Sequence, residues 1–394
     1  MESQVIHVIF LGAGPTALAG IREVGEYGLK TYAIGVNKYE AGLFSKYVKQ
    51  IGNADPVKDA EKVLAILGRF TEEHQGVHIL IPTGDEYVEF LSMYRQVLKK
   101  NFLFSLMEHD PSEYLLDKAR FAVLCQEHGV LAPRTWTANS PQSLSDWADK
   151  ALYPCFIKPV CYHKWAKVYG LTKGFVVADR DELHQIYTQV SEYVRELIVQ
   201  EVIEGSDDNI VVLATYFNSN SNPSQIFTGR KIRQYPVGYG TTTCAVSEII
   251  KAIIEPSVKV LQAIGYRGVC DVEFKYDSRD DQYKIIEVNP RIGRWYRLAT
   301  LSGKRPLLAS ILDLAGVPND TFQEERPQRD KLFWLFPSRD LPAILFNRHM
   351  KKMRALSYYL KRSKVWCVFD AGDIKPFFAY FVEMVYKLWR YKST

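Results

Sequence analysis

The stretch GVCDVEFKYDSRDDQYKIIEVNPR, residues 268–291, decides the reading of the fold. Side chains alternate faces along a strand, so Glu287 and Asn289 point one way while Val288 points the other, and Glu273 lies between apolar Val272 and Phe274. Paired as a hairpin that turns near Asp280, the two strands set Glu273 opposite Glu287. Two carboxylates side by side repel unless a cation sits between them. Oxygen ligands of this kind suit Mg²⁺, which takes one or two carboxylates and leaves its other positions to water and substrate phosphates. The pattern predicts a nucleotide.

Upstream, VIHVIFLGAGPTALAGIREVGEYGLKTYAIGV reads as strand, glycine turn, helix and strand, the start of a Rossmann-like layer. A further strand over 77–81 ends in the polar turn Pro82-Thr83-Gly84-Asp85, and open α/β sheets bind ligands at such carboxyl ends. The Gly12-Ala13-Gly14 turn is a weak dinucleotide signal, because Ala17 stands where the third glycine would be needed. Residues 113–128 read as a helix carrying Asp117-Lys118, and YPCFIKP as a strand ending in Lys158. Strand, polar turn and strand follow over 195–217, then more strand through QIFTGRKIRQYPV, a Gly-Tyr-Gly-Thr loop and a helix over 248–264. The polar tract 218–225 reads as an exposed hairpin turn.

Composition narrows the classes. At 394 residues and 47% hydrophobic content, the chain is long enough for two or three cored domains. Six scattered cysteines without a CxxC pair, and no basic-then-apolar leader, predict a reduced cytoplasmic protein. No apolar run reaches spanning length. Residues 331–394 hold 13 Lys and Arg against 4 Asp and Glu, a balance of +9, whereas the remainder holds 37 against 41. That tail mixes its cations with Phe, Tyr and Trp. It suits a helical layer capping the preceding domain, or contact with the inner face of a membrane. The body carries no basic groove for nucleic acid.

The order Asp117-Lys118, FIKP at Lys158, VQEVIEG at Glu201, GRKIRQYP at Lys231 and Arg233, DVEFK and IIEVNPR resembles the ATP-grasp superfamily over residues 5–315. Within it, RKIRQYP and EFKYDSRD…IIEVNPRIGRW are similar to the strings of carboxylate–amine ligases of the D-aspartate ligase type. The resemblance implies an α/β and α+β fold: a Rossmann-like pre-ATP-grasp domain over 1–112, and an ATP-grasp domain over 113–318 with subdomains 113–198 and 199–318. The last segment, 319–394, is expected to be a helical, basic and aromatic extension.

Carried over by position, the resemblance gives Lys118 and Lys158 to phosphate or adenine, Glu201 with the backbone near Val202 and Ile203 to the adenine edge, and Asp208 to the ribose. Glu273, Glu287 and Asn289 would hold Mg²⁺, with Mn²⁺ as the alternative ion. Arg291 would face the transferred phosphoryl group, Lys231 or Arg233 would meet phosphate or the substrate carboxylate, and Arg294 is a second candidate for that carboxylate. The implied reaction is ATP-dependent joining of a small carboxylate to an amine.

Elementary chemistry asks for the same residue types. A carboxylate is a poor acyl donor and must first be phosphorylated, a step catalysed by positioning and charge neutralisation, which needs crowded cations and no side-chain nucleophile. One departure from the resemblance is the loop after Pro159, VCYHKWAKVYGLTKG. It is poor in glycine, and Lys164, Lys167 and Lys173 would neutralise phosphate there, with His163 a simple loop residue. Partners are then small carboxylates and amines, with a cell-envelope or lipid-linked precursor as the acceptor if the tail touches a membrane. Two alternatives from other classes are a nicotinamide oxidoreductase built on the glycine turn and a non-catalytic nucleotide-binding scaffold.

Overall fold

The computed structural model describes residues 5–105, 115, 117–159, 174–194, 196–236, 240–317, 326–347 and 350–392. The loop residues His163, Lys164, Lys167, Gly170 and Lys173 lie outside them.

The first sheet is parallel, in the order β3-β2-β1-β4, from β1 (Ile6–Leu11), β2 (Lys30–Gly35), β3 (Val48–Asn53) and β4 (Val77–Pro82). Its central strand is covered on both faces, which is why it is an unbroken apolar run. Val8 and Phe10 enter one core cluster, and Ile9 and Leu11 the other. The helix Pro15–Glu26 follows β1 through Gly12, whose φ of +91° is in the region glycine favours and which packs directly against Thr83 Oγ1 and the Tyr87 ring.

A second sheet runs β5-β8-β6-β7, built antiparallel from β5 (Thr135–Ala138), β6 (Cys155–Pro159), β7 (Phe175–Val177) and β8 (Leu197–Glu201). Helices Pro141–Ala148 and Arg180–Ser191 bury Leu144, Leu183 and Val190 beneath it. Of the helix expected over 113–128, the described residues show Lys118–Glu127. Asp117 is its N-cap, accepting hydrogen bonds from the amides of Ala119 (2.9 Å) and Arg120 (3.1 Å), so Lys118 becomes the first helical residue.

The third sheet carries seven strands in the order β13-β12-β9-β10-β11-β14-β15. They are β9 (Ile210–Phe217), β10 (Pro223–Tyr235), β11 (Thr241–Ser247), β12 (Gly268–Asp277), β13 (Gln282–Asn289), β14 (Phe333–Leu335) and β15 (Lys364–Trp366). Its interior strand β9 is buried throughout, with Val212 and Ala214 in one cluster and Val211 and Leu213 in the other. Burial of such a side chain contributes about 1.5–3 kcal/mol. β11 stands where sequence reading leaves only a loop before a helix; its Thr and Val residues suit a strand, and six of its seven residues are buried.

The extension carries the expected helices, Pro337–Phe346, Lys352–Ser357 and Lys375–Lys392. It also supplies two short strands, β14 pairing with β11 and β15 lying parallel to β14. Two buried ion pairs anchor it: Arg22 Nε donates to Asp373 (3.0 Å), and Arg233 forks onto Asp340 (2.8 and 2.7 Å). Helix Lys375–Lys392 rests on the turn Ala41–Phe44, where the Ala41 amide donates to Glu383 (3.0 Å).

Candidate active site

The three sheets enclose one cleft of about 890 Å³. Its walls are the β1 and β4 turns at Gly12, Gly14, Thr83 and Asp85, the end of β8, and the faces of β10, β12 and β13.

The β12–β13 hairpin has the register expected of it, Glu273 opposite Glu287 and Asp271 opposite Asn289. A bulge follows, since Phe274 pairs with Ile285 and leaves Ile286 over. The extra residue lets Ile286 and Glu287 both face the cleft, while Ile285 and Val288 stay in the core. No third element lies between the two carboxylates to separate their charges, and a lysine from a different direction answers each one. Lys118 Nζ donates to Glu287 Oε1 (2.8 Å), and Lys231 Nζ to Glu273 Oε2 (3.2 Å). Burial pulls the Lys118 ammonium down, but Glu287 outweighs it and the net shift is upward.

Arg291 closes the far end of the hairpin. Its guanidinium donates to both Asp85 oxygens (2.6 and 3.3 Å) and to Asn289 Oδ1 (3.2 Å), tying the β4 turn to β13. Sequence reading singled out the β4 turn but gave Asp85 no partner, because 206 residues separate it from Arg291. Asp271 was also passed over. It lines the cleft, lies against Gly293 with no room for a side chain there, and keeps Oδ1 buried without a hydrogen-bond partner among the described residues. Burial pushes its carboxyl up to about 8. Its position two residues before Glu273, on the same strand face, was the available signal.

On the opposite wall Lys158 Nζ donates to Gln200 Oε1 (2.6 Å). Glu201, Val202 and Ile203 line the cleft. The Glu201 carboxylate is engaged, accepting from Arg279 Nη2 (2.5 Å) and the Arg134 amide (3.1 Å), so backbone and Ile203 are what this segment offers a ligand.

Two expected site residues are placed elsewhere. Arg233 does not line the cleft: β10 shifts register on either side of it, and the irregularity aims its side chain at Asp340, where Thr243 and Tyr359 also donate. Lys231 therefore faces the cleft without Arg233. Asp208 is exposed, accepts from Ser206 Oγ and is absent from the lining; its neighbour Asp207 lines the cleft and holds Gln234 through the amide (3.1 Å) and Nε2 (2.8 Å).

The donor set fits a hard dication without amounting to a ready-made cage. Among the described residues no three His, Cys, Asp or Glu side chains converge to hold a metal. Two carboxylates and an amide oxygen are what an ion needs when phosphates and water complete its shell. The orphaned Asp271 oxygen shows that polar capacity in this region is not satisfied by the protein itself.

The near end of the cleft is chemically different. Gly14 caps the helix Pro15–Glu26 without a side-chain bond, leaving its amide end facing the lining. Arg294 lies over the Phe336 ring (5.7 Å), with Nη1 buried and unpartnered among the described residues, and burial lowers its proton affinity. The buried Tyr87 hydroxyl also has no hydrogen-bond partner among the described residues. Glu40 accepts through Oε2 from the amides of Val36 (2.8 Å) and Ala13 (3.2 Å), and burial pushes its carboxyl up to about 7.

Three interlocked sheets around such a cleft define the ATP-grasp class. Residues 117–316 match the family described as carbamoyl-phosphate synthase L chain, ATP binding domain. The chain belongs to that family. It is 28% identical over 317 residues to a D-aspartate ligase of Enterococcus faecium, covering 77% of this chain and 75% of that one. In fold it is similar to biotin carboxylase from Campylobacter jejuni (TM-score 0.61, 17% identity, 79% and 71% covered) and to L-amino acid ligase from Bacillus licheniformis (TM-score 0.59, 16% identity, 82% and 78% covered). These folds are shared with enzymes of several acceptors. The glycine turn at Gly12 is accounted for by its close packing on Thr83 and Tyr87, and the nicotinamide reading has no second feature among the described residues to carry it.

Proposed function

We propose that the chain is an ATP- and Mg²⁺-dependent ligase that activates a small amino acid at its carboxylate and joins it to an amine, releasing ADP and phosphate. The observation that carries this reading is the pairing of Glu273 with Glu287 beside Asn289 and Arg291, faced by Lys118, Lys158 and Lys231 in one cleft.

Mg²⁺, or Mn²⁺ in its place, held by Glu273, Glu287 and Asn289, would neutralise phosphate oxygens. The residues of the chain supply the rest. The adenine lies along Val202 and Ile203, with Lys158 and Lys118 as compact charges toward the phosphates. Lys118 leaves its carboxylate for the anionic phosphates, a cheap exchange where both partners are part exposed, as Lys118 and Glu287 are at 30% and 41%, while Lys231, buried beside Glu273, faces the cleft as a fixed charge. The γ-phosphoryl group moves from ATP to a carboxylate oxygen, giving ADP and an acyl phosphate. The amine then forms the C–N bond while the C–O bond to phosphate breaks, and the nitrogen gives up a proton. Arg291, oriented by Asp85 through Nε and Nη2, stabilises charge on the transferred group with its positive charge and its Nη1 donors.

The near end suits the amino acid. Arg294 and the amide end of helix Pro15–Glu26 receive a carboxylate, and Glu40 faces an ammonium. Because a relative is named as a D-aspartate ligase, aspartate is the first acid to test. The proposal extends to a peripheral position at the inner face of a membrane, supported by the cationic and apolar outer face of residues 331–394. No helix among the described residues is long and apolar enough to cross a membrane.

The test is a screen of carboxylate and amine mixtures for ADP release, with Glu287→Ala as the blank. Release that requires both substrates and is lost in the blank supports the proposal. Nucleotide binding with no turnover for any pair would favour a non-catalytic scaffold.

A further inference from the structure

The tail sorts its charges by direction. Its acids turn inward: Asp340 to Arg233, Asp370 to Arg297, Asp373 to Arg22, and Glu383 to the Ala41 amide and Lys387. Its cations turn outward, with Lys351, Lys352, Arg354, Lys361 and Arg362 all exposed. The inward pairs use the acidic charge to fix the segment to the body, so the outer face keeps an uncompensated positive balance.

Large apolar side chains are exposed on the same segment. On helix Lys375–Lys392, Phe378, Phe381, Val382, Val385 and Trp389 are each at least half exposed, and at 3.6 residues per turn they fall within an arc of about 100°. The other side of the helix is the seated one, with Ala379 and Glu383 buried and Tyr386 against Tyr39 (ring centroids 4.6 Å). The neighbouring helices continue the pattern. Phe346 is 76% exposed and Met353 and Leu360 are each 83% exposed, and helix Pro337–Phe346 joins helix Lys375–Lys392 through Ser338 and Tyr380 (2.9 Å).

We infer that this segment docks on an anionic phospholipid surface, the stripe entering the headgroup boundary and the segment's exposed lysines and arginines meeting lipid phosphate. The inference gives a site to the peripheral position proposed above, and it does not depend on which substrates the cleft takes. A second copy of the chain is a poorer occupant. A two-fold dimer would press this cationic face against itself, and interface cores are depleted in lysine. An aliphatic and aromatic stripe on a helix, within a segment of strongly positive balance, is what lipid with anionic headgroups favours.

The full chain is sedimented with vesicles of phosphatidylcholine alone and of phosphatidylcholine with phosphatidylglycerol, at low and high salt. The expected result is binding to the anionic vesicles only, weakened by salt, with Phe381→Ser plus Val385→Ser lowering the partition coefficient by about tenfold. The double variant should keep the wild-type melting temperature and ADP release, since neither residue touches the cleft. Absence of binding to anionic vesicles at low salt overturns the inference while leaving the ligase proposal intact. Light scattering that shows a dimer which the double variant dissolves, or binding to duplex DNA without binding to vesicles, also overturns it.

Discussion

The cleft and the tail anchorage are built from the same chemistry, cation against carboxylate, yet they differ in enclosure. Lys118 and Glu287 are 30% and 41% exposed, whereas Arg233 and Asp340 are 5% and 0% exposed. Single-point lysine contacts at an open wall can be exchanged for a ligand. A fork between guanidinium and carboxylate, sealed from water and completed by Thr243 and Tyr359, cannot be opened without leaving a charge buried. Sealed forks of this type tie the tail to the body, and the proposed chemistry falls at the wall where Lys118 and Glu287 stay open.

The comparison is most severely strained by Asp340→Ala, which strands Arg233 and should destabilise the fold by about 3–5 kcal/mol in a denaturant titration. The double variant Arg233→Met/Asp340→Leu should recover much of that loss, because no lone charge remains. At the open wall the balance reverses. Glu287→Gln should lower turnover by about 10²–10³-fold while stability changes by no more than about 1 kcal/mol, read by ADP release and by the same titration.

Glu23 sharpens the contrast, since it is sealed but has no ion-pair partner at hydrogen-bond distance among the described residues. It accepts from Thr300 Oγ1 (2.8 Å) and the Leu308 amide (3.0 Å), and burial pushes its carboxyl up to about 7. The folded state thus holds a proton that the unfolded chain releases near its ordinary carboxylate value. Stability contributed by this group is present at acid pH and falls as pH rises toward 7. Glu23→Gln should flatten that slope, with a gain of about 1–2 kcal/mol at pH 8 relative to pH 5. The smallest effect belongs to Arg279→Ala. Arg279 is 42% exposed, and removing its contacts to Glu201 and Asp277 should cost about 1 kcal/mol or less, because Lys284 still bonds Asp277 and the Arg134 amide still reaches Glu201.

What could be read from the sequence follows from distance along the chain. Glu273 and Glu287 face each other across one hairpin, so alternation and a turn near Asp280 were enough to pair them. Lys231 and Arg233 look equivalent under the same rule, and a bulge that leaves no local mark separates them. Asp340 lies 107 residues from Arg233, and the three-residue strands β14 and β15 owe their existence to β11 and to each other rather than to propensity. Asp207 and Asp208 sit in one short turn, where period gives no reason to prefer either. Asp85 was visible as a strand-end residue, but its role as the anchor of Arg291 needed the two lobes brought together.

The central claim is that the β12–β13 carboxylates hold a metal-bound nucleotide. Calorimetric titration of ADP with and without Mg²⁺, on the wild type and on Glu273→Gln and Glu287→Gln, tests it most directly. The account predicts tighter binding with Mg²⁺ in the wild type and loss of that metal dependence in both variants. Equal affinity in EDTA, or variants that keep the full Mg²⁺ enhancement, would contradict it.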